Sequence, residues 1–361
     1  MSAKGRVLMA MSGGIDSSIA ALLLHEKGYE VIGFTLKTWD YESSCSSKKE
    51  TGCCSLDSIN DARDMAVKLG VKHYVIDVRE EFNKFIVDDF IHEYLSGRTP
   101  NPCVLCNTHI KWELLLSKAN MLDCEYISTG HYARVREENN RAVLYKGVDE
   151  SKDQSYVLWG LKQEYLKRTL FPLGEMFKQD IRKIATNLGF DNLAKKSESY
   201  EICFIPDNDY RSFLNHKIEG LSTKFAGGDF ITTTGKFLGK HKGFPFYTIG
   251  QRKGLNIATG IPLYVLEIIP DTNTIVLGEK DELKKNSMFA GKINMIKYKN
   301  VPEKTEVLTK IRYKDKGALS YLKMEGDNVK VDFVNEVNAI APGQSAVFYE
   351  KDDVVGGGII L

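Results

Sequence analysis

Val7-Leu8-Met9-Ala10-Met11-Ser12-Gly13-Gly14-Ile15-Asp16-Ser17 decides the fold of this chain. Val7–Met11 is an apolar run that reads as a buried strand. Ile19, Leu22, Leu23 and Leu24 then recur at helical spacing, with Gly28 as a stop signal. A strand, a glycine-rich turn and a helix start make an anion site. Successive backbone N–H groups form a concave nest, and the helix dipole favours negative charge there. Ser12, Ser17 and Ser18 add hydroxyl donors. The run lacks a GK[ST] ending, so it is not a Walker loop with its phosphate-seeking lysine.

Outward from this corner, strand and helix alternate for about two hundred residues. Strands are expected at Arg6–Ala10, Glu30–Leu36, His73–Asp77 and Glu125–Thr129. Helices are expected at Ser17–Lys27, Leu56–Leu69, Glu80–Leu95 and Ile110–Asn120. The pattern is α/β, a doubly wound parallel sheet with helices on both faces. Ligands bind such sheets beyond the carboxyl ends of the strands, where Ser12, Thr38 and Gly130 fall. A hairpin is expected over Tyr132–Gly147, turning at Glu138-Asn139-Asn140, followed by helices Gln163–Thr169 and Lys178–Leu188. After Pro206 short β runs alternate with Gly, Pro, Asn and Asp turns, which suggests a small β-rich domain and then a β-barrel. The expected domains are 1–205, 206–284 and 285–361.

The chain has 361 residues and a formal net charge of +1, so any nucleic-acid site must be a local patch. No run approaches the roughly 18 apolar residues needed to span a bilayer. The first strand lies close to Met1, which leaves no room for a leader, so a cytoplasmic location is expected. Lys236–Phe244, Tyr247, Arg252 and Lys253 interleave cations with aromatics, as a surface for phosphates and unstacked bases would, or as a hairpin with a solvated basic face.

Seven cysteines, an odd number, point to thiol chemistry or metal rather than a disulfide scaffold. Cys103 and Cys106 lie in Thr99-Pro100-Asn101-Pro102-Cys103-Val104-Leu105-Cys106-Asn107, which reads as a rigid, non-helical loop just before a helix. The dipole of that helix would stabilise a nearby thiolate. Cys203 stands in Glu201-Ile202-Cys203-Phe204-Ile205-Pro206, and Cys124 reads as a buried structural thiol. Cys45, Cys53 and Cys54 lie in a polar loop and favour neither reading. A four-ligand zinc site lacks a second CxxC. Cys103, Cys106 and Cys203 together are the candidates for an iron–sulfur cluster with one open iron.

SGGIDS at Ser12–Ser17 matches the SGGxDS loop of the PP-loop ATP pyrophosphatases, which split ATP into AMP and pyrophosphate. Together with TPNPCVLCN at Thr99–Asn107, STGHYARV at Ser128–Val135, KDQSYVL at Lys152–Leu158, EICFIP at Glu201–Pro206, YTIGQRKGL at Tyr247–Leu255 and GQSAVFY at Gly343–Tyr349, it resembles the tRNA-specific 2-thiouridylases over nearly the whole chain. The resemblance implies an adenine nucleotide alpha hydrolase-like first domain and two tRNA-contacting β domains. It implies ATP-dependent adenylation of the 2-carbonyl oxygen of the wobble uridine (position 34), then sulfur transfer from a persulfide on Cys203. Cys106 matches the nucleophile, and a Cys106–Cys203 disulfide would remain for a reductant to reset.

By the same resemblance Ala10, Met11, Ser12, Gly13, Gly14, Ile15, Asp16, Ser17, Leu36 and Gly130 contact ATP. Asp16 either positions Mg²⁺ or caps the helix. Asn101, Pro102 and Cys103 meet the target base, and His131, Lys152, Asp153, Gln154, Arg312, Tyr313 and Gln344 touch tRNA. Many relatives carry Asp where this chain has Cys103. The implied partners are Glu, Gln and Lys acceptor tRNAs and a sulfur donor, either a desulfurase or a relay protein, with no membrane. A small-molecule PP-loop ligase would need neither Cys106 nor Cys203, and a non-catalytic RNA-binding module would release no AMP.

Overall fold

The computed structural model describes residues 4–39, 56–195, 202–205, 209–302 and 304–361. Cys45, Cys53, Cys54, Glu201 and Pro206 lie outside the described residues. Two compact units are formed. The first comprises Met1–Ile86, Cys103–Asn208 and Asp352–Val354, and the second Val87–Pro102, Asp209–Lys351 and Val355–Leu361.

In the first unit β1 (Arg6–Ala10), β2 (Glu30–Lys37), β3 (Lys72–Asp77), β4 (Tyr126–Ser128) and β7 (Thr169–Leu170) form an all-parallel sheet. The order is β3-β2-β1-β4-β7. The chain progresses outward from β1 in both directions, so the switch point lies between β1 and β4. Val7, Leu8 and Met9 of β1 are all fully buried, as a strand covered on both faces requires. Val7 and Met9 share a core with Ile15, Ile19 and Leu22 of α1 (Ile15–Glu26) and Met65 of α2 (Leu56–Leu69).

β5 (Ala133–Glu138) and β6 (Arg141–Lys146) form the expected hairpin. Asn139 and Asn140 turn it with φ of 50° and 60°, the left-handed pair that a tight hairpin needs and asparagine tolerates.

Two expected helices differ in detail. The Glu80–Leu95 segment is α3 (Arg79–Phe82), a π-helical stretch Asn83–Val87, and α4 (Asp88–Leu95). The helix expected from Ile110 starts earlier, as α5 (Pro102–Leu105). It continues through a π-helical Cys106–Glu113 into α6 (Leu114–Met121). Cys103 and Cys106 therefore lie within a helical run, not in a loop before one. Pro102 explains this. Its ring presets a helical φ, and its missing N–H is an orphan at a helix start anyway. Further on come α7 (Gln163–Leu166), which ends short of the expected Thr169 because Thr169 opens β7 beside β4, and α8 (Lys178–Asn187).

In the second unit β8 (Gly228–Thr232), β9 (Phe237–His241), β10 (Tyr264–Ile269) and β11 (Thr274–Gly278) form a four-stranded sheet in order β10-β11-β8-β9. A six-stranded antiparallel barrel follows: β12 (Lys284–Met295), β13 (Thr305–Lys310), β14 (Ala318–Glu325), β15 (Asn328–Asn338), β16 (Ser345–Glu350) and β17 (Asp353–Ile360). The order is β12-β15-β14-β13-β16-β17, and pairing of β12 with β17 closes it. Val307, Leu322, Val329, Val331, Phe348 and Ile360 fill its interior.

Candidate active site

Ser12 follows β1, Thr38 follows β2 and Gly130 follows β4, so the parallel order sets all three on one edge of the sheet. The turn after β1 is tightly specified. Ser12 N–H donates to Ser17 Oγ at 3.0 Å, Ser17 Oγ donates to Gly14 O at 3.2 Å, and the two hydroxyls lie 3.2 Å apart. Thr35 Oγ1 donates to Met11 O at 2.7 Å and fixes the strand exit. Gly13 has φ +67°, and a Cβ there would lie 1.9 Å from Ser58 O. A Cβ on Gly130 would lie 2.7 Å from Ser17 N, so β4's exit presses directly on the start of α1.

Gly14 is the N-cap of α1 and supplies no side-chain cap. The first-turn N–H groups are thus left for an anion. Asp16, weighed in the sequence as a possible cap, does something else. Its carboxylate accepts from Lys178 Nζ at 2.6 and 2.7 Å and from Tyr132 Oη at 2.7 Å. It already holds a cation, so a hard divalent ion fits its chemistry.

Cys203 is half-buried. The residue after it, Phe204, is 1% exposed and packs between Trp39, just beyond β2, and Phe82 of α3, with ring centroids 5.9 and 5.7 Å away. One helical turn after Phe82, Phe85 stacks on His109 at 5.7 Å, and His109 lies in the same π-helical stretch as Cys106. The segment 82–85 therefore holds both cysteine-bearing segments. His109 is engaged by Phe85 and by Glu113, 3.0 Å from its Nδ1, as a satisfied surface histidine. Beside Cys106, Asn107 Nδ2 donates to Val157 O at 2.9 Å, while its buried Oδ1 has no hydrogen-bond partner among the described residues.

Cys103 is exposed as a residue, yet desolvation of its sulfur pushes the thiol pKa up, with Lys111 opposing. No group of three or more His, Cys, Asp or Glu among the described residues is placed to hold a metal ion. The cluster expected at Cys103, Cys106 and Cys203 does not fit this arrangement.

His131 is 9% exposed, and its Nδ1 lies 2.7 Å from Thr129 Oγ1. Burial, then Lys111, holds its pKa well below the usual value, so the ring is neutral at pH 7. His73 and His241 are lowered too, chiefly by burial. An unfolded histidine titrates near 6.5, so the unfolded chain takes up protons first. The stability from these neutral rings is complete above about pH 6.5 and lost as pH falls below it, by at most about 1.4 kcal/mol per pH unit for each ring. The urea midpoint is expected to drop between pH 7.5 and 5.5, and His131→Asn to shrink that drop. An unchanged drop would contradict a neutral, buried His131.

Other expected contact residues are engaged internally. Asp153 accepts from Gly147 N, Ser155 N and Ser155 Oγ, which makes it a loop former. Gln154 Oε1 accepts from Tyr132 N at 3.0 Å. Lys152 is half-buried in the same loop, and Leu36 lines the end of β2.

In the second unit Gln344 Nε2 donates to Thr99 O and Pro100 O, each at 3.0 Å, clasping the chain just before Asn101 and Pro102. Arg312 is exposed and donates to Asn338 O and Ala339 O, and Tyr313 beside it is 42% exposed. The basic stretch keeps Lys236, Phe237, Lys242, Arg252 and Lys253 exposed. Of the aromatics that could have faced unstacked bases, Phe244 and Tyr247 are buried core residues at 1% and 6% exposure, while Phe237 is 56% exposed. Lys240 is paired with Asp229.

The sequence did not single out Lys178, nor a role for Tyr132. The loop itself has no lysine, and Lys178 and Tyr132 reach Asp16 from 162 and 116 positions away, which no local pattern marks.

Three family descriptions match in order. "tRNA methyl transferase HUP domain" covers residues 5–207, "tRNA methyl transferase PRC-barrel domain" residues 211–279, and "Aminomethyltransferase beta-barrel domain" residues 285–360. A tRNA-specific 2-thiouridylase MnmA of Cytophaga hutchinsonii is 58% identical over 361 residues, covering 100% of this chain and 98% of that protein. One of Amoebophilus asiaticus is 59% identical, covering 99% and 95%. One of Salinibacter ruber is 54% identical, covering 100% and 95%. Identity at this level along the full length, on a structure that carries the anion nest and both cysteine segments, makes the chain a member of the tRNA-specific 2-thiouridylase family.

Proposed function

We propose that the protein is an ATP-dependent tRNA sulfurtransferase that converts the wobble uridine (position 34) to 2-thiouridine in the cytoplasm. The observation that carries this reading is the bracing of the Cys203 and Cys106 segments by Phe82 and Phe85 in the unit that also holds the uncapped start of α1. Residues 1–205 bind ATP, and 206–284 and 285–361 contact tRNA.

The chemistry follows from these groups. The uridine 2-oxygen attacks the α-phosphorus of ATP and pyrophosphate leaves, which turns a poor leaving oxygen into AMP. The first-turn N–H groups of α1 bind the departing pyrophosphate. Mg²⁺, held at Asp16, would neutralise phosphate charge. Cys106 then attacks the inner sulfur of a Cys203 persulfide. An S–S bond breaks, hydrosulfide leaves and a Cys106–Cys203 disulfide forms. Hydrosulfide adds at C2 and AMP departs. A dithiol restores both cysteines, and a sulfur donor, either a desulfurase or a relay protein, reloads Cys203.

Asn101, Pro102 and Cys103 meet the flipped base, which must leave its stack to reach a recessed site. Lys152, His131, Arg312, Tyr313 and Gln344 support the tRNA. Glu, Gln and Lys acceptors are the expected substrates.

The test is to incubate the protein with ATP, Mg²⁺, sulfide and unmodified tRNA, then to quantify 2-thiouridine by nucleoside mass spectrometry with iron assayed on the same sample. Thiouridine in iron-free protein is expected. AMP without thiouridine would sink the reading in favour of a small-molecule ligase, and thiouridine only in iron-loaded protein would replace the persulfide step.

A further inference from the structure

Backbone N–H groups offer a pyrophosphate only partial charges. The loop after β1 carries no lysine of its own, yet a lysine reaches it from a distant part of the chain. Lys178 opens α8, and its side chain is 7% exposed. Nζ binds both oxygens of Asp16, at 2.6 and 2.7 Å, and lies 5.7 Å from the Tyr132 ring centroid. Tyr132 Oη donates to the same carboxylate at 2.7 Å. The other end of Lys178 is fixed as well. Its backbone N–H donates to Asp149 Oδ2 at 2.9 Å, and Asp149 Oδ1 accepts from Ser151 N–H and Oγ.

Stability does not explain this arrangement. The desolvation penalty of a buried ion pair roughly cancels its attraction. Location does explain it. Asp16 stands in the first turn of α1, beside the uncapped N–H groups of Gly14 and Ile15. An ammonium on that carboxylate is poised at the mouth of the anion nest. Gly14 supports the same conclusion. A Cβ there would meet only Ser12 Oγ, at 3.5 Å, so the protein itself does not demand a glycine, whereas close approach of a ligand does.

We propose that Lys178 is the pyrophosphate-binding cation of this site, stored on Asp16 until nucleotide arrives. The proposal rests on the ATP-dependent reading above. When the nucleotide binds, Nζ leaves the carboxylate for phosphoryl oxygens, and the vacated carboxylate faces the divalent cation that accompanies ATP. Only ion pairs exchange, and no covalent bond changes. In the absence of metal, Asp16 and pyrophosphate compete for one ammonium.

That competition gives the two residues opposite signs. Calorimetric titration of the full chain with metal-free inorganic pyrophosphate, with ATP plus Mg²⁺ and with AMP reads them. Lys178→Gln is expected to weaken pyrophosphate binding by about 10- to 100-fold, the scale of a lost charge-assisted contact. AMP binding is expected to hold within about threefold, since AMP lacks the pyrophosphate. Asp16→Asn is expected to strengthen metal-free pyrophosphate binding by about fivefold, by removing a like charge and releasing Lys178. In Asp16→Asn/Lys178→Gln the share of that gain due to the released ammonium is expected to vanish, leaving binding weaker than in Asp16→Asn by about the same factor that Lys178→Gln costs alone or more.

Lys178→Gln alone leaves Asp16 without its ammonium. The double variant, neutral at both positions, carries the comparison should the single one not fold. Pyrophosphate binding unchanged by Lys178→Gln, or a double variant that binds pyrophosphate as tightly as Asp16→Asn, would overturn the role of Lys178. Equal losses for AMP and pyrophosphate would do so too, by marking it as structural. Wild-type protein that fails to bind ATP with Mg²⁺ would instead overturn the ATP-dependent reading itself.

Discussion

Cys106→Ser and Cys203→Ser are each expected to lower 2-thiouridine formation on the order of a thousandfold or more, the scale of a removed nucleophile. Serine at 203 cannot carry the outer sulfur atom. Serine at 106 cannot attack a sulfur to release hydrosulfide. Neither residue belongs to the nest formed by Ser12, Gly13, Gly14 and Ser17, so ATP binding is expected to survive in both variants. Cys103→Ser is expected to retain activity within about tenfold, because its raised thiol pKa leaves little thiolate at pH 7. Single-turnover assays on iron-free protein, read by nucleoside mass spectrometry, separate the three. Near-normal thiolation by either serine variant at 106 or 203 would remove the two-cysteine scheme. An equal loss in Cys103→Ser would require three thiols acting together.

The second large effect contrasts two neighbouring glycines. Gly13→Ala is expected to destabilise the protein by about 3 kcal/mol or more, since it combines a left-handed backbone with overpacking. The added Cβ would lie 1.9 Å from Ser58 O at a φ of +67°, and backbone cannot yield as a side chain can. Gly14→Ala meets no such obstacle. Its φ is −91°, and the nearest protein atom to the added Cβ is Ser12 Oγ at 3.5 Å. It is expected to leave the urea midpoint nearly unchanged while weakening ATP binding about tenfold or more, as lost close contact with an anion would. Equal midpoints for the two variants would contradict the geometry of the turn. Unaltered ATP affinity in Gly14→Ala would mean that no ligand approaches there.

Much of the first unit was legible because its signals are local. Arg6–Ala10 and Leu56–Leu69 form a strand and a helix over the ranges their apolar patterns set, and Asn139-Asn140 turns the hairpin. The start of the Cys106 helix was misread because two prolines and two asparagines outweighed the meaning of a proline at a first helical position. Strand β17 carries little strand signal of its own, because Gly356, Gly357 and Gly358 lie in it, and its pairing with β12 is a tertiary matter.

The site was half legible. The glycine turn is written in consecutive residues, but the Lys178–Asp16–Tyr132 group joins residues 116 and 162 positions apart. No periodicity links such positions. Phe244 and Tyr247 show the opposite failure. Composition left a stacking surface and a solvated hairpin both open, and burial assigned those two rings to the core.

Phe82 and Phe85 sit one turn apart, the first against Phe204 and the second against His109. The spacing of these two ring contacts is therefore set by one short stretch of helical backbone rather than by the chain that connects the two thiol-bearing segments. Residues inserted at the Asn139-Asn140 hairpin turn, for example, would leave both ring contacts in place. Loss of either ring would loosen one thiol-bearing segment from outside the chemistry.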